Sequence, residues 1–273
     1  MTTIDRPDAA AARTVSHDEF HSQAGFAYRF DWGFEGLRAL APVADVLVIV
    51  DVLRFSTAVC VAVEAGATVL PYRWAAADAA DYAASHDAIL AGRRERGELS
   101  LSPSDLVHVE PGSRIVLPSP NGSALALTAH ELGARHVLAG CLRNAGATAI
   151  HARRLAAEGR GVVAVIAAGE RWHDDTGPVR PAVEDLLGAG AILVALDPSA
   201  AVGDPQCSPE AAAARAAFVA ARPRLHATLI GCASGRELLD RGWADDVAMA
   251  AEHDASRVVP ELRGAEFVAA PAI

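Results

Sequence analysis

The chain has 273 residues, 52% of them hydrophobic and 21% charged. So high an apolar share excludes a disordered chain, and 22 Gly with 15 Pro fall short of a low-complexity one. A formal net charge of −10 repels a phosphate backbone and argues against a nucleic-acid partner.

Residues 1–24 are polar, Ala-rich and without periodicity, which predicts a loose leader. Residues 25–273 then form a single α/β domain, either undivided or in two lobes. Residues 45–51 are a continuous apolar run ended by Asp at both sides, the pattern of a strand buried on both faces. A helix follows over 54–66, a strand over 68–72, a helix over 75–85 and a short strand over 88–91. The stretch 92–112 is rich in Arg, Ser, Pro and Gly, and a loop that long suggests function rather than connection. Next come a strand (114–118), a helix (121–132), a strand (136–139), a helix (144–158) and a second wholly apolar strand (162–168). The remainder is helical over 183–196, 209–221, 224–230, 235–241 and 244–252, with a late strand at Val258-Val259. Strands alternating with helices predict a mostly parallel sheet with crossover helices in three layers, and a largely helical C-terminal part.

Ligands of open α/β sheets bind where strand C-termini meet the next helix. Four strand ends here carry polar groups: Asp51-Val-Leu-Arg54-Phe-Ser56-Thr57, Ser119-Pro-Asn121-Gly122-Ser123, Cys141-Leu-Arg143-Asn144 and Gly169-Glu170-Arg171. Asp51 leaves a buried strand, where an ionised carboxylate is costly unless paired or bound to metal. Arg54 and Arg143 can fork onto phosphate or carboxylate. Ser56, Thr57 and Ser123 would set hydroxyls at helix starts, and Gly122 allows close backbone approach. Glu184-Asp185 supplies a second acidic pair, and two carboxylate sources with several Arg suit a magnesium-assisted phosphoryl site. Each residue also has a plainer role: Asn121 and Asn144 as helix caps, Ser119 and Ser123 as turn formers, Arg93-Arg94-Glu95-Arg96 and His173-Asp174-Asp175 as solvated surface.

Other chemistries lack their motifs. The four Cys (Cys60, Cys141, Cys207, Cys232) form no Cys-x-x-Cys, and three of them, in apolar or Gly-rich surroundings, read as small hydrophobes in a reducing compartment. There is no Gly-x-Ser-x-Gly elbow and no phosphate-binding Walker loop. Gly188-Ala-Gly190 lacks a third Gly and reads as close helix packing. The N-terminus carries no basic-then-apolar signal, and the apolar runs fall short of the roughly 18 uncharged residues of a membrane span. The expectation is a soluble cytoplasmic protein.

At these motifs the sequence resembles the 2-phosphosulfolactate phosphatase (ComB-like) family, from about Asp45 to Pro260. Asp51-Val-Leu-Arg54-Phe55-Ser56-Thr57 is similar to its Asp-Val-Leu-Arg-Ala-Thr-Thr signature, and Ser119-Pro-Asn121-Gly122-Ser123 to its Thr-Thr-Asn-Gly-Thr. Glu184-Asp185-Leu-Leu-Gly-Ala-Gly-Ala191 resembles its Glu-Asp-x-x-x-Ala-Gly-Ala segment, and the tail from Ser234 through Asp245-Asp246 continues the pattern. The resemblance implies a magnesium-dependent phosphatase acting on a small phosphorylated hydroxy acid that carries a sulfonate, and it makes self-association an expectation. Implied metal ligands are Asp51 with Glu184 or Asp185; implied anion contacts are Arg54 and Arg143. Asp51 as ligand, nucleophile or base stays open. In the 92–103 loop, Arg93 stands where the family has Glu, and Leu101-Ser102-Pro103 keeps only the end of its second motif. The alternative to a phosphatase is a non-catalytic binder of a phosphorylated or sulfonated metabolite on the same scaffold.

Overall fold

The computed structural model describes residues 20–74, 77–92, 94, 98–172, 177–198 and 206–271. His173-Asp174-Asp175, Arg93, Glu95, Arg96 and the first nineteen residues of the expected leader lie outside the described residues. From Phe20 onward the leader is tied down, because the buried Gln23 carboxamide brackets Phe30, donating to its carbonyl at 2.7 Å and accepting from its N–H at 3.2 Å.

The strands are β1 (Tyr28–Trp32), β2 (Val46–Val50), β3 (Thr68–Arg73), β4 (Ile89–Leu90), β5 (Arg114–Ser119), β6 (His136–Gly140), β7 (Val163–Ala167), β8 (Glu170–Arg171), β9 (Val179–Arg180), β10 (Pro260–Arg263) and β11 (Glu266–Ala269). The helices are α1 (Gly33–Leu40), α2 (Phe55–Glu64), α3 (Ala79–Ser85), α4 (Pro103–Leu106), α5 (Gly122–Glu131), α6 (Ala145–Ala156), α7 (Val183–Leu196), α8 (Pro209–Ala221), α9 (Leu225–Gly231), α10 (Ala233–Asp240) and α11 (Ala244–Ala250). The nine-stranded sheet runs β1-β7-β2-β6-β10-β11-β3-β5-β4.

The apolar runs of β2 and β7 form adjacent interior strands, and every residue of both is buried. They pair in parallel with each other, with β6 and with β1, Val46 lying opposite Val163 and His136. Val46, Val48 and Val50 face a core that includes residues of α6, α7 and α8, while Leu47 and Ile49 face residues of α1 and α5. That alternation produces the three layers. Gly190 of α7 packs where a Cβ would collide with the Ala214 carbonyl of α8, so the glycine pair of that helix serves close packing.

The sheet is mostly parallel, with a break that the linear pattern does not announce. β3, β5 and β4 form a second parallel group, joined to the first by the antiparallel hairpin β10–β11. The hairpin touches each group through one residue pair, Glu261 opposite Leu138 and Phe267 opposite Val69. The late strand therefore starts at Pro260 rather than Val258, and it enters mid-sheet. β1, α1 and the small β8–β9 ribbon are further elements absent from the sequence reading. Among the described residues, no helix is long and apolar enough to cross a membrane.

Candidate active site

The turn after β2 carries the first functional side chain. Asp51 is 6% exposed. Its Oδ1 accepts from the Phe55 N–H at 3.1 Å, at the start of α2, and its Oδ2 accepts from the Gly122 N–H at 2.9 Å, at the start of α5. One carboxylate thus joins the C-terminal end of β2 to the turn that follows β5. Gly122 is required there, because a Cβ would collide with the Phe55 ring and crowd Asp51. Two helix starts meeting at one point present positive dipole ends and suit an anionic ligand.

Asp185, in the first turn of α7, ties two more strand ends together. Its Oδ1 accepts from the Val52 N–H at 2.7 Å and its Oδ2 from the Gly169 N–H at 2.9 Å, beyond the ends of β2 and β7. Glu170 follows Gly169, and its Oε1 accepts from Asn121 Nδ2 at 2.9 Å and from the Arg171 N–H at 2.7 Å. Glu184 is buried beside Asp185. Four acidic side chains therefore converge, and like charge adds to burial at Asp51 and Asp185. Burial, with Glu170 and Glu184 as like charges, raises the Asp51 carboxyl to about 7. Burial, with Asp51 and Glu184, pushes Asp185 well above the usual carboxylate range. Burial and the nearby Glu184 raise the Cys232 thiol to about 12.

The remaining sequence-predicted residues divide in two. Asn121 and Ser119 belong to this rim: Ser119 Oγ accepts from the Asn121 N–H at 3.3 Å, and Asn121 Oδ1 is buried with no hydrogen-bond partner. The hydroxyls of Ser56, Thr57 and Ser123 are wholly buried and bind their own backbone, donating to the carbonyls of Asp51, Val52 and Leu117 at 2.8, 2.8 and 2.6 Å. They shape the helix starts rather than face a ligand. Asn144 is likewise a pin, accepting from the Cys141 N–H and donating to the carbonyls of Ala139 and Val258.

Arg143 stands apart from the rim. It pairs with Glu252 and, at 3.4 Å, with Glu64. Glu64 ends α2, a ten-residue helix about 15 Å long whose other end holds Asp51. The strand end after β6 thus sends its guanidinium to two glutamates instead of the acidic cluster. Arg54 remains near Asp51 in the same turn, and its Nη1 donates to Asp246 of α11 at 2.9 Å.

A sequence profile described as 2-phosphosulpholactate phosphatase matches residues 37–265. The chain belongs to that family. With it the chain falls among the phosphoric monoester hydrolases. It is 31% identical over 225 residues to a Thermus thermophilus protein named "Probable 2-phosphosulfolactate phosphatase", covering 81% of this chain and 89% of that one. It is 32% identical over 240 residues to a Deinococcus radiodurans protein of the same name, covering 84% and 92%.

For a member of this family, the sequence reading under-weighted two features. Glu170 stood among the strand-end groups but was not chosen; its signal was its place directly after the apolar run ending at Ala168. The second feature is a node around Asp246 that gathers Arg94, Ser102 and Ser104 of the long loop. Part of that Arg-rich run is therefore docked rather than solvated.

Proposed function

We propose that the chain is a magnesium-dependent phosphatase that hydrolyses a small anionic phosphoester, 2-phospho-3-sulfolactate or a related phosphorylated hydroxy acid, to the alcohol and phosphate. The observation that carries this reading is Asp51: a buried carboxylate between two helix starts, surrounded by further acids and raised to about 7. Such a group is matched to a divalent cation, which relieves the repulsion that burial imposes.

The donors suit magnesium. It prefers hard oxygens, keeps several waters, and is commonly held by one or two carboxylates plus substrate phosphate. Among the described residues no group of three or more His, Cys, Asp or Glu side chains is placed to hold a metal ion, so an ion here would rest on one or two carboxylates, with water and substrate phosphate filling its shell. Asp51 with one acidic neighbour, Glu170, Glu184 or Asp185, would hold the ion, with the unpartnered Asn121 Oδ1 as a neutral oxygen. Asp185 also orients the β2 and β7 ends through the Val52 and Gly169 N–H groups that it accepts. When bound, the ion would neutralise charge developing on the phosphoryl oxygens.

The chain's own residues supply the rest. The starts of α2 and α5 face the negative phosphoryl group with their dipole ends. Arg54 offers a planar fork for its oxygens or for a neighbouring acid group. Phosphoryl transfer depends mainly on this positioning and charge stabilisation. Water adds across the ester's P–O bond, releasing the alcohol and inorganic phosphate.

The test is phosphate release from p-nitrophenyl phosphate and 2-phosphosulfolactate, with and without magnesium. Magnesium-dependent release from either substrate is expected. A folded protein that releases none from both, with metal supplied, overturns the reading. Thermal stabilisation by the phosphoester without release then identifies the non-catalytic binder.

A further inference from the structure

Asp246 lies on α11, far along the chain from Asp51 and Arg54, and its side chain is wholly buried. Its Oδ2 accepts from Arg54 Nη1 at 2.9 Å and from Arg94 Nη1 at 3.3 Å. Its Oδ1 accepts from the Ser102 hydroxyl, from the Ser104 hydroxyl at 3.0 Å and from the Ser104 N–H at 3.4 Å. The Trp243 ring forms a floor under the same cations, 4.6 Å from Arg54 Cζ and 5.9 Å from Arg94 Cζ. Arg94 is further fixed by Ser104 Oγ at 3.1 Å and by Asp105 at 3.5 Å.

We propose that Asp246 is a positioning residue of the phosphatase site. Its carboxylate draws Arg54 and Arg94 together so that the pair receives a second anionic group of the substrate, a carboxylate or sulfonate, beside the phosphate end at Asp51. The inference rests on the functional reading above and deepens it.

Three facts support this role over simple bracing. Arg54 is only three residues beyond Asp51 in the turn between β2 and α2, so the Asp246 node is anchored on the segment that carries Asp51. Among the described residues Arg54 spends only Nη1, leaving its Nη2 and Nε donors for another oxyanion. A buried ion pair is also a poor choice for stability alone, because apolar residues of similar volume are often as stabilising. What the carboxylate achieves is geometry: a strand-end motif, a loop and a C-terminal helix meet on two oxygens.

The experiment compares Asp246→Asn with the unmodified protein on two substrates in the presence of magnesium. p-Nitrophenyl phosphate has no second anionic group, whereas 2-phosphosulfolactate has two. Asp246→Asn is expected to raise KM for 2-phosphosulfolactate by at least about tenfold more than for p-nitrophenyl phosphate, with kcat affected less than KM. Arg94→Gln should show the same selective loss. The double variant should be no worse than the weaker single one, since both act through one cluster. Equal loss on both substrates, or losses that add in the double variant, would overturn the proposal. Should Asp246→Asn fail to fold, Arg94→Gln decides alone, because its side chain is 26% exposed and removable without opening the core. An unmodified protein inactive on both substrates refutes the phosphatase reading, whereas active protein with unselective variants refutes only the role of Asp246.

Discussion

The two ends of β2 carry the same residue in nearly the same local setting, with opposite consequences. Asp45 precedes the strand and Asp51 follows it, and each is 6% exposed. Each accepts two backbone N–H groups: Asp45 Oδ2 takes those of Arg160 and Val162 at 2.8 and 2.9 Å, and Asp51 takes those of Phe55 and Gly122. Burial raises both carboxyls. At Asp45 the amide bonds, with Arg160 and Arg135 nearby, outweigh it and leave the carboxyl below its ordinary value. At Asp51 the neighbours are Glu170 and Glu184, and the carboxyl rises to about 7. Two amide donors do not by themselves decide the charge of a buried carboxylate; the depth of burial and the sign of its neighbours do.

The sharpest way to break this contrast is to neutralise each end. Asp51→Asn should reduce magnesium-dependent turnover by at least about 10³-fold, measured by steady-state phosphate release. Asp45→Asn should keep turnover within about threefold and instead lower the melting temperature, by roughly 1 kcal/mol, as two charge-assisted amide bonds become neutral ones. Comparable loss of turnover from both would remove the distinction.

Next in size is Asp185→Asn. One of the Val52 and Gly169 N–H groups would lose its acceptor, and the β2 and β7 ends would be less firmly registered. Turnover should fall by about 10²-fold, with melting lowered by several degrees. Full activity would show that this strut is dispensable.

The contrast also predicts how stability depends on pH in the metal-free protein. Asp51 is raised, so its contribution is intact below the ordinary carboxylate value of about 4 and is lost as pH climbs through about 7. Asp185, raised by burial and by Asp51, adds the same sign. Asp45 is lowered, so its contribution persists above that range and is lost only on acidification. Melting temperature should therefore fall from about pH 5 to about pH 8, and Asp51→Asn should flatten that slope. An unchanged slope in the variant would contradict the assignment.

The smallest effect concerns the two arginines that the sequence treats alike. Arg54→Ala should raise KM for the anionic substrate by about tenfold or more. Arg143→Ala removes only pairs with Glu64 and Glu252, worth about 0–1 kcal/mol, and should leave KM within about twofold.

How much was legible follows from the kind of signal each element sends. β2 and β7 were readable because wholly buried parallel strands leave uninterrupted apolar runs. β1 was not, since Arg29 and Asp31 interrupt it, and Arg29 is buried only because it donates to the Phe26 and Ser22 carbonyls. The hairpin β10–β11 carries Glu261, Arg263 and Glu266, so its mid-sheet position was invisible to hydropathy. At the site, Asp51, Asn121, Gly122 and Asp185 were legible because they stand at strand or helix ends. Arg143 has the same local signature, and only the fold shows that two glutamates claim it. Asp246 lies in the tail that continues the family pattern, but only the fold shows that α11 brings it against Arg54.

The most direct measurement is a ¹³C-carboxyl NMR titration of Asp51 in the metal-free protein and with saturating magnesium. The account predicts a midpoint near 7 without metal, moving down by more than about one unit when magnesium binds. A midpoint near the ordinary value of about 4 in both conditions, or one near 7 that magnesium leaves in place, would contradict it.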